Sequence, residues 1–318
     1  MKKSGAAISV SGLKKSYQKK EVLRDVNFFV PKGSVYAVLG SNGAGKTTMI
    51  RILTTQIKAD AGEISIGAYD LNRQPEKIRE AISVTGQFST VDEFLTGREN
   101  LMMIGKLRHL PNVKQTTQKL LNDFNLSDSA NQIAASYSGG MRRKLDIAMS
   151  LVGNPQVIFL DEPTTGLDPQ SRRNMWNLIQ KLNQSGITIF LTTQYLEEAE
   201  QLADRIAILD KGMVIAEGTA EELKSNLPQG GIEISFGDPN TYEKAKEAMK
   251  EEIYSAVPEK YKITVLTDGR TESLARIIDI FAEKNLEIQR ISQLTPNLED
   301  VFLAMIEGKK EKKEWKQE

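Results

Sequence analysis

Gly40-Ser41-Asn42-Gly43-Ala44-Gly45-Lys46-Thr47-Thr48 is the stretch whose reading decides the fold of this chain. It fits the pattern G-x-x-x-x-G-K-[ST], with a second Thr behind it. The apolar run at residues 35–39 reads as a buried strand, and Met49, Ile52 and Leu53 recur at helical spacing afterwards. That is the strand–loop–helix context in which such a loop holds phosphate. Glycines let the backbone wrap an anion without a Cβ in the way. Free backbone N–H groups and the positive end of the next helix then face the charge. Lys46 is expected to reach the β- and γ-phosphates, and the Thr47 hydroxyl to complete the shell of a Mg²⁺ ion.

A second strong signal lies at Val157-Ile158-Phe159-Leu160-Asp161-Glu162-Pro163. Four apolar residues make a buried, parallel strand. Two carboxylates stand at its C-terminal end, the edge at which open α/β sheets bind ligands. Asp161 is expected to hold Mg²⁺ and Glu162 to act as general base toward an attacking water. Between the two signals, Ser138-Gly139-Gly140 opens a helix with the apolar stripe Met141, Leu145, Ala148 and Val152. This start is a second anion site by the same dipole argument, and Ser138 can also cap it. Arg142, Arg143 and Lys144 form a basic run, read here as a solvated helix face in preference to a binding patch. Tyr17 lies in a polar piece, either stacking on an adenine ring or packing at a strand edge.

The remaining chain divides by pattern. Residues 8–36 read as short strands with turns, and 62–67 and 82–87 as further strands, the latter ending in the amide of Gln87. From about 92 to 152 the pattern is helical, with Thr96-Gly97-Arg98-Glu99 forming a capping box. Residues 187–191 are another buried strand, ending in Thr192-Thr193-Gln194. Gly166-Leu167-Asp168-Pro169 is a turn before a helix. Asn226 to Gly231 is a linker by composition. Beyond it, 232–307 read as a compact α+β unit of the ferredoxin-like kind, with strands at 232–236, 261–267 and 286–292 and a helix over 241–252. The tail 308–318 is charged.

Composition limits the function. The chain has 318 residues, 42 Lys and Arg against 42 Asp and Glu, one His and no Cys. Zero net charge gives no bulk attraction to nucleic acid, and none is expected as a partner. Absence of Cys excludes disulfides and thiolate metal sites. No apolar run approaches the roughly 20 residues that span a bilayer, and the start shows no secretory leader. Work at a membrane would need another chain as anchor.

In this order the motifs resemble the ATP-binding subunit of an ABC transporter. Residues 40–48 are similar to Walker A, Gln87 to the Q-loop glutamine, residues 138–141 to the signature sequence, 157–162 to Walker B and 166–168 to the D-loop. Tyr17 falls where the family stacks an aromatic on adenine. Leu95-Thr96-Gly97-Arg98-Glu99-Asn100-Leu101 and Leu298-Glu299-Asp300-Val301-Phe302-Leu303 resemble the daunorubicin-resistance group of exporters. The resemblance implies a P-loop NTPase cassette over 1–225, with a RecA-like core, an antiparallel β subdomain and a helical insert. It implies ATP and Mg²⁺ as ligands, the ion held by Thr47, Gln87 and Asp161, and an ATPase homodimer with head-to-tail sites. Each site would be built from Tyr17, residues 40–48 (Gly40, Ser41, Asn42, Gly43, Ala44, Gly45, Lys46, Thr47, Thr48), Gln87, Asp161, Glu162 and Gln194. Ser138, Gly139, Gly140 and Asp168 would complete the facing site. It also implies a separate integral membrane permease, with this chain on the cytoplasmic face of the membrane. Gln194 stands where most members carry a switch histidine; an amide can donate to a γ-phosphate but cannot ionise. The alternative is a soluble ABC ATPase acting on ribosomes or nucleic acid.

Overall fold

The computed structural model describes residues 5–86, 90–225, 231–249, 253–267, 270–294 and 297–302. Gln87, most of the expected linker, Pro296 and the charged tail lie outside these residues. The chain divides after Thr219 into two compact units, six residues before the expected boundary at 225.

The first unit opens with a long antiparallel hairpin, β1 (Ala6–Tyr17) and β2 (Lys20–Pro31). β3 (Val35–Leu39) and α1 (Lys46–Leu53) flank the glycine loop, as expected. Next come β4 (Ala61–Ile66), β5 (Tyr69–Asp70), α2 (Pro75–Ala81) and β6 (Ile82–Thr85). The helical insert holds α3 (Gly97–Leu107), α4 (Val113–Asp123) and α5 (Gly139–Ser150). The core resumes with β7 (Val157–Asp161), α6 (Pro169–Gln184), β8 (Thr188–Thr193), α7 (Leu196–Leu202), β9 (Arg205–Asp210) and β10 (Met213–Gly218).

Six of these strands form one sheet in the order β10-β9-β3-β8-β7-β6. All neighbours are parallel except the β9–β10 hairpin. Every residue of β3, β7 and β8 is buried, which is why their apolar residues stand in unbroken runs, 35–39, 157–160 and 189–191, rather than alternating. The second sheet, β2-β1-β4-β5, is antiparallel. Its Ile8, Val10, Leu13, Val26 and Val30 share one core with Tyr36, Met49, Ile50, Phe159 and Phe190. At the centre Phe190 meets three rings: Phe159 at 5.4 Å, Phe28 at 5.7 Å and Tyr36 at 5.8 Å between centroids. The capping box at α3 is present: Thr96 Oγ1 accepts from the Glu99 backbone N–H at 3.2 Å, and the Glu99 carboxylate accepts from the Thr96 N–H at 2.8 Å.

The second unit opens with α8 (Ala220–Lys224) and continues β11 (Gly231–Ser235), α9 (Pro239–Ala248), β12 (Ile253–Val257), β13 (Lys262–Leu266), α10 (Thr271–Glu283) and β14 (Arg290–Leu294). Residues 298–302 are helical. The sheet is antiparallel in the order β12-β13-β11-β14, the β-α-β-β-α-β arrangement of ferredoxin-like units. The helix expected over 241–252 ends at Ala248, and β12 is a strand that the sequence pattern does not announce. That strand, Ile-Tyr-Ser-Ala-Val, is only five residues long and pairs antiparallel with β13. The linker residue Gly231 belongs to β11. One sheet face packs Ile232, Ile234, Ile263 and Val265 on Tyr242, Ile277 and Phe281. Glu233 and Lys262 pair at 2.7 Å on the alternate positions.

The packing of the first unit sets two expectations for stability. Phe190→Ala removes a ring with no solvent exposure and is expected to cost about 3–5 kcal/mol, read from denaturant unfolding of that unit. Glu198 on α7 is fully buried, its Oε1 accepting from Thr164 Oγ1 at 2.7 Å and Trp176 Nε1 at 3.2 Å. Burial pushes its carboxyl above the ordinary 4.5, against the hydroxyls and indole around it. A carboxyl that holds its proton better in the fold stabilises fully below its unfolded pKa and loses that contribution as pH rises through the folded value. Glu198→Gln cannot ionise, so its melting temperature should equal or exceed that of the parent at pH 8. The gap should narrow toward pH 5.

Candidate functional site

The parallel strands end at one edge, and the segments that leave their C-terminal ends build the site. β3 leads into the loop 40–45, whose Gly45 has φ +114°. A Cβ on Gly45 would stand 2.8 Å from Leu23 Cδ2; one on Gly40 would stand 2.5 Å from the Leu209 carbonyl oxygen. Neither position tolerates a side chain. α1 starts at Lys46 with no side-chain cap and no acidic residue in its first turn, so its free N–H groups keep their positive field. Lys46 is buried. Its ammonium donates to the carbonyl oxygens of Gly40 at 2.8 Å and Ser41 at 3.2 Å, and lies 3.4 Å from Glu162 Oε1.

β7 brings the two carboxylates. Asp161 is buried and accepts a hydrogen bond from the Thr192 hydroxyl of β8. Glu162 adopts φ +49°, a left-handed conformation unusual outside glycine, and its N–H donates to the Thr192 carbonyl at 3.1 Å. That turn carries its side chain to Lys46, while Thr165 Oγ1 donates to its other oxygen at 3.3 Å. Gln194 comes directly after β8 and is half-buried. The carbonyl of Thr193, just before it, accepts from the Gly40 N–H at 3.3 Å.

A cleft of about 500 Å³ gathers Ser41, Asn42, Gly43, Gly45, Lys46, Thr47, Thr48 and Glu162. Ala44 and Asp161 are buried and do not line the cleft. Lys20, Arg24 and Lys211 also line the cleft. With Lys46 they set four cations against Glu21 and Glu162, a local positive field in a chain of zero net charge. Sequence reasoning missed these three, because β2 and the β9–β10 turn reach the site only through the fold.

Other candidate residues lie outside this cleft. Tyr17 ends β1, is 43% exposed, and has the Lys15 ammonium 5.5 Å from its ring centroid. Ser138 and Gly139 are exposed, and Ser138 Oγ caps α5 by accepting from the Met141 N–H at 3.2 Å. Asp168 caps α6 by accepting from Ser171, which holds its carboxyl below the usual carboxylate range. One expectation is corrected outright. Arg143 is not on a solvated face: it is 9% exposed and its guanidinium is engaged by groups from β7, its own helix and the ends of the neighbouring loops. Burial works against its charge, and Asp146 opposes that most strongly. The Arg-x-x-Asp spacing was the one available signal.

The donors fit Mg²⁺. Thr47 offers a hydroxyl in the cleft, and Asp161 offers a buried carboxylate at the end of β7. Among the described residues no group of three or more His, Cys, Asp or Glu forms a metal site. Two oxygen donors suit an ion that takes the rest of its shell from phosphate and water.

Comparison with known proteins agrees with this geometry. Residues 23–165 match the family model described as ABC transporter. The chain is 41% identical over 304 residues to the daunorubicin/doxorubicin resistance ATP-binding protein DrrA of Streptomyces peucetius, covering 94% of this chain and 92% of that protein. It is 33% identical to the Nod factor export ATP-binding protein I of Rhizobium sp. strain N33, covering 97% and 100%. Among solved structures, an ATP-binding subunit of an ABC transporter superposes with TM-score 0.62 at 30% identity, over 69% of this chain and 92% of that one. The dimeric, ADP- and Pi-bound cassette MJ0796 gives TM-score 0.61 at 26% identity, over 67% and 98%. These relatives are transporter subunits, and the ribosome- or nucleic-acid-directed alternative finds no support among them. Identity of this extent along nearly the whole chain makes the protein a member of the ABC transporter family, an ATP-hydrolysing subunit of the DrrA-like exporter group.

Proposed function

We propose that two copies of this chain close head to tail on two ATP molecules and drive a separate membrane permease. The observation that carries this is the exposure of Ser138 and Gly139 outside the Lys46 cleft of their own chain. An anion-binding helix start so placed serves the phosphate held by another copy. In this reading residues 40–48 cradle the triphosphate. Lys46 leaves the carbonyls of Gly40 and Ser41 for the β- and γ-phosphates. That frees Glu162 from its ion pair to take a proton from the attacking water. Gln194 donates to the γ-phosphate, Gln87 responds to it, Tyr17 stacks on adenine, and Asp168 lies at the facing chain. Thr47 and Asp161 would hold Mg²⁺, which neutralises charge on the phosphate oxygens.

The membrane partner is inferred from the relatives' roles and from the chain itself. Among the described residues no helix is long and apolar enough to cross a membrane. The subunit would bind its permease at the cytoplasmic face through the helical insert. DrrA of Streptomyces peucetius is a daunorubicin/doxorubicin resistance protein; on that likeness the cargo here is a drug- or lipid-type molecule moved outward. The second unit serves as an accessory that strengthens the dimer or holds the permease.

Glu162→Gln tests the reading. It should reduce steady-state phosphate release by about 100-fold or more, retain ATP binding, and elute as a dimer when ATP is present. Monomer elution at saturating ATP would count against the head-to-tail site. Gln194→His should keep or raise turnover in the same assay, since imidazole also donates to phosphate.

A further inference from the structure

Arg143 and Asp146 lie one turn apart on α5, and both are buried. The Arg143 guanidinium has a fork of five donors in a fixed plane. Its Nε donates to the Pro163 carbonyl at 3.0 Å and its Nη2 to the Asp161 carbonyl at 3.3 Å. Those two carbonyls bracket Glu162. Its Nη1 donates to the Gly86 carbonyl at 2.8 Å and to Asp146 Oδ2 at 3.3 Å. Asp146 Oδ1 accepts from both the backbone N–H of Thr90, at 3.1 Å, and its hydroxyl, at 2.7 Å. Gly86 and Thr90 in turn bracket the segment that carries Gln87. Two side chains of one helix thus hold the chain on both sides of the proposed base and on both sides of the proposed γ-phosphate sensor. The same helix begins at Ser138, whose exposed start lies outside this cleft.

We propose that Arg143 and Asp146 are positioning residues that tie the Glu162 and Gln87 segments of one ATP site to the α5 helix serving the other site. The proposal rests on the head-to-tail ATPase reading above. The physical requirement is specific. Three carbonyls, from the last residue of β7, the segment after it and the residue after β6, converge on one planar cation, and a lysine ammonium in the same place is a point donor that cannot reach all three in the same geometry. Asp146 fixes the plane of the fork and gives its other oxygen to Thr90. A displacement at Gly86 or Thr90 is passed to α5 through these bonds rather than through the α5 backbone.

The test uses the full chain with Arg143→Lys and Asp146→Asn, each alone and in the Glu162→Gln background. Folding is checked by melting, and ATP binding by a fluorescent nucleotide. Arg143→Lys should bind ATP within about threefold of the parent while kcat falls about 10- to 100-fold, the scale of a small misplacement of reacting groups. In the Glu162→Gln background it should raise the ATP concentration needed for dimer formation. Asp146→Asn keeps an acceptor for Thr90 and loses the negative charge that faces Arg143, so its kcat should fall less, with the same split from binding. Parent-like kcat in both variants overturns the proposal, and so does an equal loss of binding and rate, which is what a brace of the fold alone would give. A parent protein that binds ATP without releasing phosphate overturns the ATPase reading, and this inference with it.

Discussion

Backbone pairing among β3, β8 and β7 is the constraint on which the site depends. β8 lies between the other two, so the glycine loop after β3 and the carboxylates after β7 arrive on either side of one strand end. The Gly40 N–H binds the carbonyl of Thr193 and the Glu162 N–H that of Thr192. The Thr192 hydroxyl takes Asp161. These bonds are at the buried end of three strands that carry no solvent-exposed residue, so their geometry is set by the register and not by the loops. The ring cluster around Phe190 lies within the same three strands and β2, and it resists any slip of one strand against the next.

Charge is managed locally at this edge. A buried ammonium is costly unless paired, and Lys46 is satisfied by two carbonyls and Glu162. The left-handed backbone of Glu162 is the conformation that brings its carboxylate to that ammonium; it is held by the bonds of its N–H to Thr192. An anion entering the cleft therefore competes with Gly40, Ser41 and Glu162 for the Lys46 ammonium. Lys20, Arg24 and Lys211 add to the attraction without changing the balance of the whole chain. A formal net charge of zero thus says nothing about the field inside one cleft.

Much of the candidate site's local structure was legible because it is local. The glycine loop, the apolar strand with Asp161 and Glu162 at its end, and the capping box of Thr96 with Glu99 each depend on residues within about ten positions of one another. Backbone conformation over that range is governed by side-chain type. The second unit was legible as α+β, yet β12 was not, because five residues directly after a helical pattern are too short a run to separate from that helix without seeing the β13 partner. Arg143 escaped for a related reason. A charged residue in a basic run on a helix is ordinarily solvated, and nothing nearby in sequence reports that three carbonyls wait for it.

Residue order was therefore enough to place the glycine loop between a buried strand and a helix, to put Asp161 and Glu162 at the end of another, and to divide the chain into two parts. Folding alone brought the ammonium of Lys46 to Glu162, gathered three distant cations into their cleft, and left the Ser138 helix start outside it. It also made Arg143 a buried tie between the ends of β6 and β7. The physical reason is the same in each case: these are contacts between segments about 20 to more than 100 residues apart, closed by strand order and register, and local spacing does not name the distant partner.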